Sequence, residues 1–138
     1  MSIDLKSITK PQIVKLAIFL YSIAFFVDSL VQLLVPGQQV SGTPHLFFHI
    51  FSGATLLTIL VFFTPKIKPA LAIFGILYSG LGFASLTFPH SHNGYQSNIM
   101  GLDGDSSTPY THIAVGFVAL TLLFALDQTL PKNNIVIK

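Results

Sequence analysis

Four long apolar stretches, each opening at or beside a proline, divide this chain at about 11–35, 44–64, 69–88 and 109–128. The polar residues collect between them: a tail over 1–10, a turn-like PGQQVSG connection at 36–42, the turn Pro65-Lys66-Ile67-Lys68-Pro69, and a long loop over 89–108. A helix rising about 1.5 Å per residue needs about 20 residues to cross the hydrocarbon, and all four stretches have that length. The pattern predicts an all-α fold: a four-helix transmembrane bundle forming a single membrane domain over 1–138. The first stretch is longer than the roughly 7–15 residues of a signal-peptide core, and no small-x-small site follows it. It is expected to stay attached as the first transmembrane helix.

The bundle is expected to contain two repeated helical hairpins, because part of the pattern occurs twice. Thr43-Pro44 leads to His49-Ile50-Phe51-Ser52-Gly53, and Thr108-Pro109 leads to His112-Ile113-Ala114-Val115-Gly116. Threonine suits an N-cap and proline the first helical position, so both copies read as helix starts carrying a histidine in the first turns. Leu16-Ala17-Ile18-Phe19 and Leu71-Ala72-Ile73-Phe74 extend the echo into the preceding helices. The registration is imperfect, since Pro44 lies two residues further from His49 than Pro109 does from His112. In the third helix, Gly75-xxx-Ser79 and Gly80-xxx-Ala84 have the small-xxx-small spacing that lets helix backbones approach.

Composition narrows the picture. With 51% hydrophobic and 9% charged residues, against about 25% charged in a soluble domain, the chain is an integral membrane protein by composition as well as by pattern. All seven basic residues are lysines, and none lies in the 36–42 connection or the 89–108 loop. The positive-inside rule then places both termini and the 65–69 turn in the cytoplasm, with a bacterial inner (plasma) membrane as the expected location. The lipid bilayer is the expected partner, with further copies of the chain or a larger membrane complex beside it; the net charge of +2 is not read as nucleic-acid binding. The absence of cysteine removes disulfides, thiolate metal sites and CxxC haem attachment. No Glu, Arg, GxSxG, HExxH or P-loop occurs, so nothing argues for an enzyme.

The motifs His49-Ile-Phe-Ser-Gly53, Asn98-Ile-Met-Gly-Leu-Asp103 and His112-Ile-Ala-Val-Gly116, on this helical frame, resemble the DUF4383-like family of small four-helix bacterial membrane proteins of unknown function. The resemblance covers roughly 12–128 and implies the fold without implying an activity. The chain departs from the family pattern in lacking a tryptophan before His112 and in its Gly-Asp-Ser-Ser-Thr interruption of the loop.

The candidate chemistry is one-sided. His45, His49, His90, His92 and His112 all fall away from the lysines. His45 and His49, spaced i,i+4, share a helix face and suit two ligands to one ion. His49 and His112 are expected at similar depth, about 8 and 5 Å below their helix starts. Asp28, about 10 Å below the end of the first helix, is costly there unless paired or wet, so it is expected to approach one of these imidazoles. Several readings stay open: histidines that only pack the bundle, a zinc or copper site on His45, His49, His112 and Asp28, bis-histidine ligation of haem b by His49 and His112, or proton relay or transport through Asp28. His90 and His92 are weaker candidate ligands, and Asp103-Gly104-Asp105 lacks the later acidic ligand of a calcium loop. A structural or accessory membrane role leads, with a redox or metal-handling protein as the alternative.

Overall fold

The computed structural model describes residues 9–35, 42–87, 91–92, 95–96 and 106–129. They form α1 (Lys10–Leu34), α2 (Thr43–Phe62), a 3-10 turn (Thr64–Lys66), α3 (Ile67–Thr87), a two-residue ladder of β1 (Ser91–His92) with β2 (Tyr95–Gln96), and α4 (Thr108–Thr129). All four α-helices are long and apolar enough to cross a membrane. The ladder is an addition to the expected picture: the 89–108 connection is not wholly without elements.

The helix starts follow local chemistry with small shifts. Thr9 caps α1, its backbone N–H donating to Gln12 Oε1 at 2.7 Å, and Pro11 fits the first turn. In α2 the cap is Gly42 rather than Thr43, which is already helical. Pro69 sits inside the first turn of α3, because the 3-10 turn reverses the chain before it and no intrahelical donor is lost at that position.

Successive helices run antiparallel. α1 lies along α2 and α3 along α4, while α1–α4 and α2–α3 close the bundle and α2 and α4 stand diagonally across it. Large apolar side chains point outward from every helix, among them Leu34, Phe51, Phe62, Ile76 and Phe124. That surface suits hydrocarbon rather than water. Hydroxyls inside the helices bond back to carbonyls one turn earlier, as Ser22 does to Ile18, Thr87 to Phe83 and Thr121 to Phe117, so few polar groups are left for lipid to solvate.

Between helices in lipid, close packing replaces the hydrophobic drive. A Cβ on Gly53 would lie 2.7 Å from the Ser22 carbonyl oxygen, and one on Gly116 would lie 2.5 Å from the Ser79 backbone nitrogen. Both hairpins are therefore held by the glycine of a His-x-x-x-Gly motif pressed on the backbone of a serine. Gly75, Ser79 and Gly82 make the stripe facing α4. Gly80 does not belong to it, having nothing within 4 Å of its would-be Cβ. The expected Gly80-xxx-Ala84 contact is corrected to Gly82, which meets Pro109 and Ile113.

These contacts also reset the internal repeat. Leu20-Tyr21-Ser22 corresponds to Leu77-Tyr78-Ser79, two residues away from the register that the Leu-Ala-Ile-Phe match suggests. Tyr21 donates to the Val115 carbonyl at 2.9 Å and Tyr78 to the Ser52 hydroxyl at 2.7 Å, so each tyrosine reaches the residue before the motif glycine of the other hairpin. The core is zoned along the bundle. Ile18, Leu56, Ile67, Leu71, Ala119 and Leu126 fill the end where α1 and α3 begin. Aromatic rings and imidazoles fill the other.

Candidate metal centre

The first turns of α2 and α4 enter the bundle at the same end and bring three imidazoles to its axis. His45 and His49 project from one face of α2, one turn apart, and His112 projects from α4 opposite them. Their Nε2 atoms form a triangle with sides of 3.0 Å for His45–His49, 2.9 Å for His45–His112 and 3.3 Å for His49–His112. His45 and His112 are buried and His49 is half-buried. The wall around them is aromatic. Phe25 meets the His49 ring edge-on with centroids 5.5 Å apart, and Tyr78 lies 5.8 Å from His49 and 5.5 Å from His112.

Hydrogen bonding cannot satisfy this triangle. A ring nitrogen is either a donor, when protonated, or an acceptor, when bare. Three nitrogens with two possible states always leave at least one pair alike, so one edge near 3 Å must set two protons or two lone pairs against each other. A cation among them removes the conflict, since all three can then present lone pairs inward. The spacing fits. The circle through three atoms so placed has a radius of about 1.8 Å, so an ion at the usual 2.0–2.1 Å from each would sit about 1 Å off their plane. That is close to three corners of a tetrahedron with the fourth open. Imidazole donors without thiolate suit zinc, copper, nickel or iron. Nδ1 of His112 is buried with no hydrogen-bond partner among the described residues.

His45, His49 and His112 meet, as their spacing suggests. Asp28 does not join them: it is exposed on α1, accepts a hydrogen bond from Gln32 Nε2 at 2.9 Å, and lies outside the group whose ligand atoms converge. Its depth in the helix is as expected but its direction is not. It does line, with His49, Tyr21, Phe25 and Thr111, a cavity of about 210 Å³ between α1 and α4. His90, the His92 side chain and Asp103-Gly104-Asp105 lie outside the described residues.

The haem alternative does not fit the described geometry. Two axial nitrogens on opposite faces of one iron, each bonded at about 2 Å, must stand about 4 Å apart with a flat macrocycle between them. His49 and His112 are closer than that, and His45 occupies the space beside both. Sequence reasoning missed Tyr21, Tyr78 and Ser52 as the site's supports; the repeated Leu-Tyr-Ser was the available signal.

The chain matches no known family model, no characterised protein and no solved structure.

Proposed function

We propose that this is a multi-pass integral membrane protein that binds one transition-metal ion, of the zinc or copper class, through His45, His49 and His112. The observation that carries the reading is the convergence of three Nε2 atoms in a triangle whose edges no assignment of protons can satisfy. Placement of the lysines at the opposite end supports N-in/C-in insertion in a bacterial inner membrane, with the histidines towards the non-cytoplasmic face. The DUF4383-like resemblance belongs with this reading as a proposal about ancestry and adds no activity.

The test is metal analysis with an absorption spectrum on detergent-purified protein, wild type beside His49→Ala/His112→Ala. About one metal per chain, lost in the double variant while the helical circular dichroism persists, is the expected result. A metal-free wild type that also refuses added zinc, cobalt and copper would return the cluster to packing alone, and the protein to a structural or accessory role.

A further inference from the structure

The three histidines are unequal in access. His45 and His112 are 1% and 3% exposed, whereas His49 is half-buried and is the one of the three that lines the α1–α4 cavity. At the rim of that cavity stands Asp28, an exposed carboxylate well inside a spanning helix. Its hydrogen-bond donor is the neutral amide of Gln32, and no salt bridge among the described residues reaches it. The other acidic residue in the four helices, Asp127, is paired with Lys68. A carboxylate at membrane depth without a cation is expensive, and such residues mark the paths of ions. Thr111 adds a hydroxyl oxygen to the same wall while donating its own hydrogen to the Ser107 carbonyl. A second cavity, of about 250 Å³, has Lys15 and Lys68 but no carboxylate or imidazole in its lining.

We propose that the α1–α4 cavity is the access route for the metal ion, with Asp28 capturing the hydrated divalent cation at its rim and His49 receiving it into the three-histidine centre. This rests on the metal reading above and adds a direction of travel and a role for a carboxylate that is not a ligand in the final site. The ion arrives hydrated, exchanges waters for His49 first because that imidazole is the accessible one, and then for the two buried rings.

The experiment is stopped-flow loading of Co²⁺ into metal-free, detergent-solubilised full-length chain, followed by the visible d–d bands of the tri-imidazole complex. Wild type, Asp28→Asn and Asp28→Glu are compared at low salt and at 1 M salt. Asp28→Asn is expected to load about tenfold or more slowly at low salt, to reach the same stoichiometry and spectrum, and to lose most of the deficit at high salt. Asp28→Glu restores most of the rate. Loading of Asp28→Asn at the wild-type rate would overturn the access route and leave the metal site standing. A reduced final stoichiometry or altered bands in Asp28→Asn would overturn it differently, by making Asp28 a ligand. A wild type that takes up no cobalt would overturn the metal reading and this inference together.

Discussion

Tyr78 of α3 donates its hydroxyl hydrogen to Ser52 of α2 at 2.7 Å, directly beneath the imidazoles, and both residues are buried. The bond ties one hairpin to the other where lipid gives no hydrophobic incentive for the two to associate. Tyr78→Phe is expected to cost about 0.5–1.5 kcal/mol, and a double-mutant cycle with Ser52→Ala should return most of that as coupling. Reversible unfolding in mixed micelles measures it. Additive single effects would mean that the rings hold the position and the hydrogen bond is incidental.

The two glycines of α3 and α4 that differ most in surroundings give a sharper contrast. A Cβ on Gly116 would press on the backbone of Ser79 and on the Gly75 carbonyl, 2.7 Å away, and backbone cannot swing aside. Gly116→Ala should therefore cost about 1–3 kcal/mol or more and loosen α3 from α4. Gly80→Ala, entering open space, should be neutral or slightly stabilising through helix propensity. Melting temperatures of the two variants decide it; equal effects would contradict a rotation of α3 that turns Gly80 away from its neighbours.

A metal bound by α2 and α4 would act as a clasp across the diagonal. Zinc at about a hundred times its dissociation constant should stabilise the fold by about 2.7 kcal/mol, visible as a raised melting temperature reversed by a chelator. His45→Ala should abolish most of the zinc-dependent rise. A zinc effect of undiminished size in that variant would place the binding elsewhere.

The Lys68–Asp127 ion pair joins the start of α3 to the end of α4, but its side chains are 35% and 60% exposed. Pairs with that exposure contribute about 0–1 kcal/mol. Asp127→Asn should leave the melting temperature within a few degrees of wild type. A large loss would mean that the pair is shielded by lipid or by another chain.

The four spans were legible because apolar run length and proline punctuation are properties of sequence alone. The meeting of His49 with His112 was legible for a similar reason: both lie a few residues into helices that start at the same end. Rotation about the helix axis was not legible. The spacing of Gly80 to Ala84 is as good as that of Gly75 to Ser79, and only the packed neighbours reveal that Gly75, Ser79 and Gly82 share the buried side. Asp28 failed in the same way, its depth following from counting and its direction depending on how α1 sits against α2 and α4. The repeat register was misread from aliphatic residues that one membrane helix shares with any other, whereas Tyr21-Ser22 and Tyr78-Ser79 carry polar groups with partners to find.

The two halves match at tyrosine, serine, histidine and glycine, but they part company at His45, whose counterpart in the second hairpin register is the buried Thr108. A pair of first hairpins would bring four imidazoles to a shared axis and saturate a tetrahedral ion, leaving it inert. A pair of second hairpins would bring two and hold it poorly. Joining one of each in a single chain yields an odd number, which a symmetric dimer of either hairpin cannot present. If the three imidazoles hold an ion, Thr108→His would add a fourth on the same face of α4 as His112, and zinc release to a chelator is expected to slow.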